Sequence, residues 1–445
     1  MPTIVKHYRN SFLDIVNDNI RILMDPWVYT ANEGSWAGSK NGDKYIFNSL
    51  KKKTIDYIYI SHLHTDHFDL KFIKKLKNKQ KNFFYIIIKK FSNNHLKNQL
   101  ISNGFNESHI IDIPEFKPYL LSDNSKIIIL PQVSSSNTPN EYIKYDLDTS
   151  CVFIDQNISL YNQVDNPYSA SDIKFIMKNL KKEIKNKFDI AFVPYCAASE
   201  FPQSFINLNR IVEKEKIIRL RIKKFLTVSS IINSKKIIPA GGSYMLDNIF
   251  YKLNKFLAIP KFNKIKKIFD KSNLKKFDLV DTEKFFFIAD RHKVKLEKND
   301  FYKNFKSVIA NTKQNIKYEH LKFNFSKNGI NKIINKLEME MPVYKKDLYD
   351  QTKTEIQICV WPKQPILIKN LKKKQAVIFH KIKFKKIKKI KLKVHVYYKL
   401  LLGVINGLVS WNEVQNHCLY ERRPNIYEPD IIFWMNLYKN SKIKI

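Results

Sequence analysis

The chain has 445 residues, 44% of them hydrophobic, and a formal net charge of +38 at pH 7. That length and apolar content allow a full core and mark a globular protein of one large domain or two to three ordinary ones. Its longest apolar stretches, such as Phe83–Ile88 and Leu400–Val404, fall far short of the ~20 residues a membrane span needs, and Met1–Asn10 is polar and strand-like rather than a signal peptide, so the expected setting is soluble and cytoplasmic.

Ser11–Val16 and Ile20–Asp25 read as short strands joined by the Asn17–Asp18–Asn19 turn, an opening β-hairpin. Ile55–Ile60 is a β-branched and aromatic run that stops at Ser61, which places the residues after it on a loop at a strand's C-terminal end. A short helix is expected over Leu70–Leu76, a buried strand over Phe83–Ile88, a helix over His95–Ser102 stopped by Gly104, and a strand over Ile127–Leu130. Strands Ser150–Asp155 and Ile158–Gln163 precede a helix across Ser169–Ile184, then a strand at Asp189–Tyr195 and a helix within Ser204–Phe225. The Ile237–Pro239 run ends at Gly241–Gly242, expected on a tight loop near the site. Beyond about residue 250 the texture turns to Lys- and Phe-rich amphipathic helix, and Val377–Val396 alternates apolar residues with lysine, the period of a strand with one solvated face. These shifts divide the chain into a main domain over 1–250, a helical extension completing it over 251–352, and a smaller α+β domain over 353–445.

Of the 79 basic residues only eight are arginine, while Lys, Asn and Ile abound and Gly and Ala are scarce. Two readings of the charge stay open: codon bias in an A/T-rich genome, and a basic face that attracts an anionic substrate. The lysines of 381–393 interleave with Ile and Phe as on a solvated strand face, which argues against a nucleic-acid groove. Cys151, Cys196, Cys359 and Cys418 stand far apart with no Cys-x-x-Cys pair. Neither a disulfide framework nor a zinc ribbon is indicated, a Rieske centre in this chain is excluded by the spacing, and the cysteines are read as reduced and partly buried.

In His62-x-His64-x-Asp66-His67, four metal-ligand side chains fall within six residues of one loop. A lone histidine is usually a satisfied polar residue, but four such groups at this spacing point to a metal. Imidazole and carboxylate together suit a divalent ion such as zinc or iron, and one or two ions are expected. Asp66 is the candidate catalytic residue, able to orient a water or act as a base as well as ligate.

The loop at residues 60–69 resembles the first ligand motif of the metallo-β-lactamase-like hydrolases, whose fold is an αββα sandwich. The resemblance implies that His62 and His64 hold one metal, that Asp66 and His67 hold a second, and that Asp165, in Leu160–Pro167, bridges them. The family also has a histidine between the first motif and the bridging aspartate, and a last one near the end of the domain. Between His109 and His292 this chain has none. Gln132, Ser134 and Asp148 lie where the middle ligand would be sought and none is a strong substitute; His292 comes late enough for the last, and His95 and His109 read as surface or helix residues. A mononuclear or weakened site is therefore one expectation.

Asp25-Pro26-Trp27 followed by Gly34-Ser35-Trp36, the Pro194–Phe205 loop, and Ser410-Trp411-Asn412 through Arg422-Arg423-Pro424 resemble elements of CMP-N-acetylneuraminate hydroxylase-like proteins. That likeness implies a metalloenzyme acting on a sialic-acid-like or nucleotide-linked amino sugar, a monooxygenase if a separate Rieske or ferredoxin-like partner supplies electrons. Metal-assisted phosphodiester or amide hydrolysis, and a binding protein with a decayed site, are the alternatives. Trp27, Trp36 and Tyr195 are candidates to stack on a base or sugar ring, and Arg422 and Arg423 to clamp a phosphate or carboxylate of an anionic substrate.

Overall fold

The computed structural model describes residues 1–91, 94–132, 148–166, 168–184, 187–196, 201–202, 204–206, 208–309, 318, 321–326, 328–332, 354–367, 377–379 and 390–421. Two large sheets lie face to face. The first runs, in spatial order, Lys293–Lys298, Phe285–Asp290, Thr3–Arg9, Phe12–Val16, Arg21–Met24, Tyr57–Tyr59, Tyr85–Lys89 and Ile110–Ile113. The second runs Asp278–Leu279, Ser234–Ala240, Phe188–Pro194, Ser159–Asn162, Ser150–Asp155, Ser125–Leu130 and Pro118–Ser122.

Strand periodicity explains the layering, because successive side chains leave a strand on opposite faces. Ile22, Met24, Tyr59 and Ile87 of the first sheet meet Ile127, Ile129, Phe153, Ile190, Phe192 and Ile238 of the second in one buried cluster. The alternate residues Leu23, Ile58, Ile86 and Ile88 pack outward with Ile46, Phe72, Leu76 and Leu100 of the helices Gly42–Ser49, Leu70–Lys79 and His95–Ser102. On the other side Ile128, Val152, Ala191 and Ile237 pack with Ile173, Ile176, Ile222 and Phe225 of the helices Ala170–Leu180 and Arg210–Ile232. The result is an αββα sandwich.

The segment 251–352, expected as a helical extension, contributes strands as well as helix. Phe285–Asp290 pairs antiparallel with Thr3–Arg9 and then with Lys293–Lys298, extending the first sheet at its edge. The C-terminal part is α+β, with Ile390–Tyr397 and Thr354–Trp361 parallel in a five-stranded sheet that also takes in Phe205–Ile206. Val394, Val396, Leu400 and Trp411 belong to the same apolar cluster as Ile173 and Phe225, so this part shares its core with the sandwich. Residues 381–389 of the lysine run lie outside the described residues. Among the described residues no helix is long and apolar enough to cross a membrane.

Candidate metal centre

The parallel strands of both sheets end on one side of the sandwich: Arg21–Met24, Tyr57–Tyr59 and Tyr85–Lys89 in the first, Ser159–Asn162, Phe188–Pro194 and Ser234–Ala240 in the second. Loops leaving those ends carry the site. Past Tyr59 the chain turns at Ser61, whose backbone N–H and hydroxyl both donate to the buried Asp25 carboxylate, at 2.8 and 2.6 Å. The loop is closed by Asp69, which caps the helix Leu70–Lys79 by accepting from Phe72 N and also accepts from the backbone N–H groups of Val28 and Tyr29.

Hydrogen-bond direction fixes both buried rings. The Ser61 hydroxyl spends its one proton on Asp25, so at 2.8 Å it accepts from His62 Nδ1–H, and the lone pair of Nε2 faces inward. His67 Nδ1–H donates to Asp25 Oδ2 at 2.9 Å, turning its Nε2 toward Asp165 Oδ2 at 3.2 Å and Asp66 Oδ2 at 3.4 Å. A carboxylate gripping the far nitrogen of a ring is the usual support of a metal-binding histidine. Asp25→Asn is accordingly expected to weaken metal affinity ~10–100-fold in a chelator-competition titration; wild-type affinity would mean that Asp25 does not orient the rings.

Asp148, which the sequence offered only as a weak substitute for the middle ligand, joins the cluster. The Thr149 hydroxyl donates to Ser61 O at 2.8 Å, which brings the preceding Asp148 to within 3.5 Å of His62 Nε2. His64 Nδ1 lies 2.7 Å from the same His62 nitrogen. Two groups of three thus converge with ligand atoms within 4.8 Å of one another: His62, His64 and Asp148, and His62, His67 and Asp165. Asp165 stands where a bridging aspartate was expected, on the turn after Ser159–Asn162.

The electrostatics are lopsided. Burial works against charge on His67, but Asp66, Asp165 and Asp25 outweigh it and hold its pKa well above the ordinary imidazole value. His62, buried beside His67 and His64, is pushed well below that value, and burial raises Asp148 to about 6. Four carboxylates, Asp25, Asp66, Asp148 and Asp165, surround three imidazoles, two of them turned with Nε2 toward the cluster, a donor set that fits a divalent ion.

Other residues fall elsewhere. Trp27 and Trp36 are corrections to the expected stacking surface: both are buried in one apolar cluster, the Arg9 guanidinium lies 3.6 Å from the Trp27 ring centroid, and Trp36 stacks on Tyr244 at 4.0 Å. Their faces are already covered, so no substrate ring can lie on them. Tyr195 leaves Phe188–Pro194 on the site side, partly buried against the second sheet's outer core. His292 bonds Asp189 Oδ2 at 2.6 Å, at the opposite end of that strand from Pro194, and is no ligand. Arg422 and Arg423 lie outside the described residues.

Gly241 and Gly242 do reach the site. Gly241 has φ +81, and a Cβ there would stand 3.1 Å from Asp165 Oδ1 and 3.2 Å from Val164 O. Gly241→Ala is expected to cost ~1–3 kcal/mol, read as a lower urea midpoint at unchanged slope; an unchanged midpoint would show that the loop yields freely. The C-terminal part is tied in as well. His417 Nε2–H donates to Asn32 O at 2.8 Å, and Asn32 N–H donates to Thr65 Oγ1 of the ligand loop at 2.8 Å.

No family model matches the sequence. A Mycolicibacterium smegmatis protein named as a Rieske 2Fe-2S iron–sulfur protein is 40% identical over 58 residues, 13% of this chain and 11% of that protein, so the chain spans a small part of the relative it matches. A metallo hydrolase from Ignicoccus hospitalis superposes with a TM-score of 0.40 at 13% identity, covering 67% of this chain and 100% of that one. CmlA, a diiron β-hydroxylase from Streptomyces venezuelae, gives 0.40 at 14% identity over 62% of this chain and 52% of that one. The layer order and the ligand loop at the strand ends settle the architecture. The chain has the αββα layering that the resemblance of its ligand loop implied. Within that fold its cluster has the make-up of a divalent-metal site, with Asp148 where a histidine was sought.

Proposed function

We propose that this protein is a metal-dependent enzyme of hydroxylase-like type. It modifies an anionic glycan precursor, a sialic-acid-like or nucleotide-linked amino sugar, in the cytoplasm, with electrons from a separate Rieske or ferredoxin-like donor. The observation that carries this reading is the convergence of His62, His64 and Asp148, because two histidines and one carboxylate suit Fe²⁺ and leave positions open for oxygen. The partial likeness to a protein named for a Rieske cluster supports an external donor.

The chemistry such an ion supplies is activation of oxygen when it is iron, or of water when it is zinc. The chain's own part is positional. Asp25 and Ser61 hold the rings in the ligating tautomer, and Asp66, buried with Oδ2 held by Asn10, keeps Oδ1 to orient a water or take a proton. Tyr195, Arg422 and Arg423 are the proposed contacts to the substrate's ring and its acidic groups.

Hydrolysis of a phosphodiester or amide is the second reading, favoured by the same three ligands, since a two-histidine carboxylate set also serves catalytic zinc. Incubation of the iron-loaded protein with CMP-N-acetylneuraminate separates the two. Product carrying ¹⁸O from labelled oxygen, formed only when a Rieske or ferredoxin donor is added, is the expected result. Donor-independent cleavage would replace oxidation by hydrolysis, and no turnover of either kind would overturn the substrate class.

A further inference from the structure

We infer that this centre holds one ion, and that Asn10 closes the seat a second would take. The inference rests on the metal-dependent reading above. Both three-ligand groups among the described residues include His62, whose Nε2 faces His64 and Asp148. Its partner Nδ1 is engaged with Ser61 Oγ, and an imidazole nitrogen has a single in-plane lone pair, so the two groups cannot be filled at once. Asp66, which would anchor a second ion, belongs to neither group.

What Asp66 has instead is an amide donor. Asn10 Nδ2 lies 2.8 Å from Asp66 Oδ2 and 3.3 Å from His67 Nε2, the two atoms that would face a second ion. The amide cannot turn round, because its Oδ1 accepts from Gly242 N–H at 2.5 Å. Its backbone is held too, with Gly241 N–H donating to Asn10 O at 2.9 Å and Asn10 N–H donating to Ser243 Oγ at 3.1 Å. Asn10 itself sits at φ +46, in the left-handed region that asparagine tolerates. Gly241 and Gly242 end the strand Ser234–Ala240 beside Asp165, and neither has a side chain to offer as a ligand. A cluster that sets an amide N–H donor against Asp66 Oδ2, with the same amide nitrogen 3.3 Å from His67 Nε2, is built around one cation, with His67, Asp66 and Asp165 forming a hydrogen-bonded flank beside it.

The test is metal stoichiometry of the full chain after loading with zinc alone and desalting, with Asn10→Asp alongside. One ion per chain in wild type, rising toward two in Asn10→Asp, is expected, because the variant exchanges an N–H donor for a carboxylate. Two ions in wild type would overturn the inference and leave the functional reading standing, whereas no ion at all would overturn both. If Asn10→Asp folds and stays at one, the role given to Asn10 is wrong. Should the variant fail to fold, wild type loaded with iron and oxidised decides alone: an uncoupled high-spin ferric resonance supports a single ion, and a spin-coupled, silent pair overturns it.

Discussion

His62→Ala is expected to lose metal affinity by more than ~100-fold, beyond the range seen for supporting residues, and to lose turnover with it. His62 is the residue common to both ligand groups, so its removal leaves each with two members. The ring is also buried between His64 and His67, with centroids 4.5 and 4.2 Å away. Asp148→Ala should follow it, since the group to which Asp148 belongs keeps only His62 and His64. A chelator-competition titration reads both variants. Wild-type affinity in either would remove that residue from the ligand set.

Asp14→Ala is expected to destabilise the fold by ~3–5 kcal/mol, the cost of stranding one member of a buried ion pair. Arg21 Nε and Nη2 donate to the two Asp14 oxygens at 3.0 and 2.9 Å, and both side chains are almost wholly buried. Tyr8 OH donates to the same carboxylate at 2.9 Å, so alanine leaves a phenol and a guanidinium without that partner. Arg21 keeps its bonds to Lys53 O and Ser49 Oγ, which tie the strand Arg21–Met24 to the helix Gly42–Ser49, and these soften the loss without cancelling it. Urea unfolding measures the effect. A loss under ~1 kcal/mol, the scale of an exposed pair, would show that water reaches the site in the folded state. Because Asp14 faces away from the metal loop, metal stoichiometry should not change in the folded fraction.

Much of the sandwich was legible because its strands are short β-branched runs buried on both faces, as at Ile127–Leu130 and Tyr85–Lys89. The hairpin Phe285–Asp290 and Lys293–Lys298 was not. Its outer strand is nearly all exposed, so it carries no buried face for periodicity to mark. In the site, the sequence drew attention to His62, His64, Asp66 and His67 by their placement within six residues and to Asp165 by its place after a strand; the fold brings all of these but Asp66 into the two three-residue groups. Asp148 and Asn10 are placed by contacts across the fold, Thr149 to Ser61 and Gly242 to Asn10, which no local pattern records. Trp27 misled because an aromatic near a ligand loop looks the same in sequence whether its face is open or covered by Arg9.

The most direct test of the metal centre is anomalous diffraction from crystals grown with zinc, collected on both sides of the zinc absorption edge. The account predicts a peak ~2.0–2.2 Å from His62 Nε2, with His64 and Asp148 completing its coordination. No peak at His62, or one held elsewhere such as at His292 and Asp189, would contradict it.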